Sequence, residues 1–74
     1  MKYPYIVQKL EKELIARQEL RRALDHLAQV ALNADVAWDC AQKARAQQIQ
    51  INVIQRDILT RKKVHYRAMK ARSD

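Results

Sequence analysis

From Ile6 onward, apolar residues recur every three or four positions: Ile6, Leu10, Leu14, then Leu20, Leu24, Leu27 and Ala31. That spacing puts them on one face of an α-helix and predicts a first helix over about residues 5–32. A second helical face runs through Ala37, Cys40 and Ala41, Ala44, Gln47 and Gln48, Ile51, Ile54 and Ile58, which predicts a second helix over about residues 36–72. Ile49, Ile51 and Val53 alternate as in a strand, but no turn residues bound that stretch and the helical reading holds there too.

The break falls at Asn33-Ala34-Asp35. Asparagine tolerates the left-handed conformation that ends a helix. Asp35 is then placed to cap the second helix through its carboxylate. The alternative is one uninterrupted rod through position 34, which needs a sustained heptad that Arg17 and Arg21 interrupt. Folding back at position 34 sets Leu27 near Cys40 and Ala41, Leu24 near Ala44, Leu14 near Ile54 and Leu10 near Ile58. Large residues then face small ones near the turn, which allows close approach. The first helix runs out opposite about residue 62, so the end of the second helix is expected to project alone.

The expected fold class is all-α: a two-helix antiparallel hairpin, coiled-coil-like, forming a single helical domain. Ile15, Val30, Leu32, Trp38, Ile49, Val53 and Leu59 lie off the first apolar stripe. They make a second apolar surface that a lone hairpin leaves in water. Pairing two hairpins into a dimeric four-helix bundle covers it. The competing arrangement is a three-helix monomer with the second helix broken near Asn52.

Composition sharpens this picture. The 74 residues include no glycine, one proline (Pro4) and one cysteine (Cys40). Without glycine, phosphate-cradling loops and tight hairpin turns are excluded. Pro4 suits a helix start. A lone cysteine forms no internal disulfide, and no Cys/His cluster has zinc spacing. A chain this short buries too little to be robust alone, which again points to oligomerisation. A single thiol, no visible secretion signal and no membrane-length apolar run predict a cytoplasmic, soluble protein.

Charge is uneven along the chain. Residues 1–60 carry nine Lys/Arg and seven Asp/Glu, a balance of +2; residues 61–74 carry six Lys/Arg against Asp74, a balance of +5. The candidate binding residues are Arg61, Lys62, Lys63, Arg67, Lys70 and Arg72, with Lys63, Arg67 and Lys70 on one face. Such density on a rigid helix suits a phosphate backbone or an acidic protein surface. It also occurs simply because cations favour a helix C-terminus and solubility. No asparagine stands where base readout would need it, so any nucleic-acid binding is expected to be backbone-directed. A membrane surface is disfavoured, because Leu59, Val64 and Met69 make a weak apolar face.

No catalytic set is evident. Asp39 and Cys40 are neighbours that point about 100° apart on a helix. His26 falls opposite position 41, and Cys40 reads better as a small core residue against Leu27. No cofactor, metal or small-molecule substrate is expected. Trp38 and Tyr5 are candidate partner hot spots; Tyr3 and Tyr5 are alternatively placed to pack near residues 62–66.

The expected function is therefore a small non-enzymatic binding protein. It engages an anionic macromolecule, foremost a nucleic-acid backbone, through its basic end. The alternatives are an adaptor or inhibitor of an acidic protein and a purely structural assembly protein. In scale and style the chain resembles accessory proteins of phages and mobile elements, without a motif that ties it to one family.

Overall fold

The computed structural model describes residues 3–73. Two helices, α1 (Tyr5–Val30) and α2 (Ala34–Ser73), account for almost all of them. The helices lie side by side as an antiparallel hairpin of 61 × 15 × 13 Å. That length is set by α2 alone, since its 40 residues rising 1.5 Å each span about 60 Å. α2 is continuous through Asn52, so the three-helix alternative is excluded, as is the unbroken rod.

Helix starts and stops follow local chemistry. Pro4 stands just before α1, and its carbonyl accepts bonds from the N–H groups of Val7 (3.0 Å) and Gln8 (3.4 Å). The proline has no N–H to orphan there. At the turn the expected boundaries shift by about two residues. α1 ends at Val30, and Ala31 is extended (φ −66°, ψ 132°) while its N–H still reaches Leu27 O at 3.0 Å. No described residue has positive φ, so Asn33 is not a left-handed terminator. Asn33 instead caps α2: its Oδ1 accepts the Asp35 N–H at 2.8 Å, and its carbonyl accepts the Ala37 N–H at 3.0 Å. Asp35, expected as the cap, lies inside the first turn. Its charge still favours the helix dipole there. Asparagine and aspartate cap about equally well, and Ala34 is a good first helical residue, so α2 starts at the earlier cap.

The core is one narrow seam. On α1 it runs through Tyr3, Val7, Leu10, Leu14, Arg17, Arg21, Leu24, Ala28 and Ala31, alternating steps of three and four. On α2 it runs through Ala37, Cys40, Ala44, Gln47, Ile51, Ile54 and Ile58 in the same rhythm. Val7, Ala44, Ile51, Ile54 and Ile58 are buried, and Tyr3, Leu10 and Leu14 pack on the cluster of Val7, Ile54 and Ile58. The α2 face is as expected. The α1 face is rotated: Val7 replaces Ile6, while Leu20 and Leu27 are about half exposed. Arg17 and Arg21 occupy the seam between apolar stretches, because a strict heptad keeps one side facing the partner whatever residue stands there.

These arginines are partnered within the hairpin. Arg17 Nε donates to Glu13 Oε1 at 3.1 Å, and its Nη1 reaches across to Gln47 Oε1 at 3.1 Å. Arg21 Nη1 donates to Asp25 Oδ2 at 2.8 Å. Both i,i+4 ion pairs were readable from spacing. Ile15, Val30, Leu32, Trp38, Ile49, Val53 and Leu59 all stand exposed, but they do not share one face: Ile15, Trp38 and Leu59 each follow a seam position by one residue, and Val30 and Val53 by two.

Two stability outcomes follow. Asn33→Ala removes the cap of α2 and should cost about 1 kcal/mol, a drop of roughly 4–8 °C in thermal midpoint, read by circular dichroism. Ile54→Ala empties the best-packed part of the seam and should cost about 2–5 kcal/mol, enough to leave a large unfolded fraction at 25 °C.

Candidate binding surface of the second helix

The basic end of α2 divides into two groups. The first is turned back onto the hairpin. Arg61 Nε pairs with Asp57 Oδ1 at 3.0 Å, one helical turn earlier. Lys62 Nζ crosses to Glu11 Oε1 at 2.8 Å and lies 5.1 Å from the centre of the Tyr3 ring. Tyr3 in turn packs against His65, with ring centroids 5.4 Å apart and planes tilted by 55°. His65 Nε2 is shielded by this contact and has no hydrogen-bond partner among the described residues.

This corrects the expected geometry. The first helix does not run out at residue 62. Pro4, Ile6 and Val7 line a cleft with Thr60, Arg61, Val64, His65 and Ala68. Arg61 and Lys62 therefore lie alongside the N-terminal end of α1, and among the described residues the cleft with that end extends to Ala68. Tyr3 and Pro4 extend the hairpin past the helix start, which is why arithmetic from residue 5 placed the end too early.

The Lys62 contact also shows in its ionisation. Its pKa is raised, chiefly by the hydrogen bond from its ammonium to Glu11; desolvation opposes this, and the charges of Glu11 and of an ionised Tyr3 add smaller upward effects. Lys43 is raised in the same way by Asp39, which it meets at 3.0 Å. A raised lysine pKa means the charged form is the one held by the fold. The contact is complete below the ordinary lysine range and is lost as the pH climbs through the elevated value.

The second group faces solvent. Lys63, Arg67, Lys70 and Arg72 are all exposed. Among the described residues Lys63 and Arg67 form no ion pair. Lys63, Arg67 and Lys70 share the side of α2 turned away from α1, because they step by four and three from one another and none stands three, four or seven residues from the seam positions Ile58 and His65. Arg56, seven residues before Lys63, continues that stripe and is exposed too. It was missed because it precedes the charge run; its two-turn spacing from Lys63 was the available signal. The ridge from Arg56 to Lys70 is about 21 Å long at 1.5 Å per residue. Arg72 lies at the seam edge beyond α1 and off this stripe.

The two aromatic candidates lie at opposite ends of the hairpin. Tyr5, 77% exposed, stands at the open end, and Trp38, 67% exposed, stands near the turn. Of the tyrosines beside Pro4, Tyr3 packs and Tyr5 does not. Cys40 is half-buried on the seam, and Leu27, expected against it, is half exposed. His26 is exposed, and Asp39 is held by Lys43. Among the described residues no group of three His, Cys, Asp or Glu is arranged to hold a metal ion, and no helix is long and apolar enough to cross a membrane.

Comparison with protein-family models, with curated proteins and with solved structures found no match.

One outcome tests the Lys62 contact. Glu11→Gln should lower the pH at which Lys62 titrates, followed by NMR of its side-chain methylene next to nitrogen.

Proposed function

We propose that the protein acts by binding, not catalysis, and that the exposed cationic ridge of α2 engages the phosphate backbone of a nucleic acid. The observation that carries this is the ridge itself: Arg56, Lys63, Arg67 and Lys70 on one outward side of an unbroken helix. A rigid row of cations meets a row of phosphates without an ordering cost, and the displaced counterions supply the driving force. The carboxylate of Asp57, on the same stretch of α2, is taken up by Arg61. Readout of base edges is not part of this reading, so binding is independent of sequence.

The active form in this reading is a homodimer. The hairpin exposes 6054 Å², whereas a compact monomer of its 8.7 kDa would expose about 4,700 Å². Burying about 800 Å² per copy makes a stable interface, and the excess is more than that. In a cytoplasmic setting Cys40 stays a thiol. A second reading, an adaptor on an acidic protein, is favoured by the exposure of Trp38 and Tyr5, which are residue types that anchor protein interfaces.

Fluorescence anisotropy with two labelled 20-base-pair duplexes of unrelated sequence separates these. Both should bind alike, and affinity should fall roughly a hundredfold between 50 and 200 mM salt for about four phosphate contacts. The Arg56→Gln/Lys63→Gln/Arg67→Gln/Lys70→Gln protein should lose binding, while Arg61→Gln/Lys62→Gln should retain most of it. Equal loss in both variants, or none in either, would refute the ridge. Failure to bind DNA or RNA, with capture of an acidic protein that depends on Trp38, would favour the adaptor. Retention of all function in the fourfold variant would leave a purely structural role.

A further inference from the structure

We infer that two copies of the hairpin pair antiparallel through the flank carrying Ile6, Leu20, Leu27, Val36 and Val64, with the turn of each copy seated at the other's open end. This rests on the homodimer reading above and adds the face and the direction.

The face follows from the seam. Ile6, Leu20 and Leu27 each stand one residue before a seam position of α1 (Val7, Arg21, Ala28), and Val36 and Val64 each stand one before a seam position of α2 (Ala37, His65). Residues that keep a fixed offset from a heptad seam stay on one side of it along the whole length. The two sets lie on the same side, since Ile6 and Val64 line one cleft together. All five are exposed in the single hairpin. The opposite side of the seam is mixed: there Lys62 meets Glu11, Arg45 and Gln48 lie beside Asp25, and Ile15, Trp38 and Leu59 stand exposed beyond them. The first flank has a cleft at one end and the apolar residues Leu27 and Val36 at the other; between them stand Glu13, Lys43, Gln50 and Asp57, one residue before Leu14, Ala44, Ile51 and Ile58.

The direction follows from charge and shape. Residues 61–74 carry a balance of +5, while residues 23–42 around the turn carry Asp25, Asp35 and Asp39 and no lysine or arginine. Parallel pairing would set two strongly cationic ends side by side. Charges screen one another only beyond about 8–10 Å at ordinary ionic strength, so that contact is penalised at the interface itself. Antiparallel pairing moves the cationic ends to opposite tips and sets each beside an acidic turn. Shape agrees. The cleft at the open end, about 440 Å³ and lined mainly by Pro4, Ile6, Val7, Val64 and Ala68 with Arg61 at its rim, is apolar. The turn end of the same flank carries Leu27 and Val36, about 32 Å away along α1. They cannot fill their own cleft, but in an antiparallel pair they reach the partner's. The outward stripe of Arg56, Lys63 and Lys70 stays off this interface, and so does Trp38.

Disulfide trapping tests face and direction together. Two proteins are made in a Cys40→Ser background, one with Leu27→Cys and one with Val64→Cys, and are oxidised separately and as an equimolar mixture. Both positions are exposed, so helix content should not change. The expected result is a 27–64 linked dimer in the mixture and little linked product from either protein alone. Linked 27–27 and 64–64 dimers from the separate samples would show parallel pairing and overturn the direction. A dimer by sedimentation without any of these links would place the interface on another face and overturn the proposal. A clean 8.7 kDa species for the unmodified chain would overturn the homodimer reading itself, and the present inference with it.

Discussion

Two helices share a single line of contact, and everything else in this hairpin depends on how that line is filled. Ile51, Ile54 and Ile58 fill it from α2 and Val7, Leu10 and Leu14 from α1. Isoleucine is stiff at its first side-chain torsion in a helix, so it loses little freedom when it is locked between two backbones. Towards the turn the seam changes to Ala28, Ala31, Ala37, Cys40 and Ala44. Small residues let the helices close on one another and keep the three-residue link short. No third element covers either broad face, which leaves a rod 15 × 13 Å in section with large apolar side chains in water.

The middle of the seam is polar, and this has structural consequences. Arg17 bonded to Gln47 across the helices divides the apolar contact into an isoleucine-rich half and an alanine-rich half. Such a layer gives up apolar burial but fixes which residues face each other, since a slip of one turn would leave the guanidinium without its acceptor. The isoleucine-rich half lies next to the basic end of α2. Tyr3, His65, Lys62 and Glu11 then tie that end to the start of α1. The cationic ridge is therefore carried by the firmer end of the molecule. The alanine-rich end buries less and is where local opening costs least.

The surface outside the seam divides by chemistry along and around the rod. Cations gather on the outward side of α2 and acids near the turn, while exposed apolar side chains stand on both sides of the seam. The proposed self-association face and the proposed anion-binding ridge share no residue. Trp38 and Tyr5 lie outside both, at opposite ends of the hairpin.

Much of this was legible in the residue pattern. The all-α class, one break near Asn33, the α2 core face and the exposed second apolar set follow from spacing and from the absence of glycine, because helical periodicity is a local property. The common side of Lys63, Arg67 and Lys70 follows for the same reason. Three things did not follow. Val7, and not Ile6, enters the core, because two apolar neighbours satisfy the same period and only the partner helix selects one. Asn33 caps in place of Asp35, because both are good caps and the hairpin geometry picks the earlier. Arg61 and Lys62 were read with the projecting cations, yet they turn back to Asp57 and Glu11. Charge can be counted from residues alone, but whether a cation meets solvent or a carboxylate depends on what lies within reach across the fold. A run of like charges therefore marked where binding was to be sought, and packing of α1 against α2 sorted which side chains remain available for it.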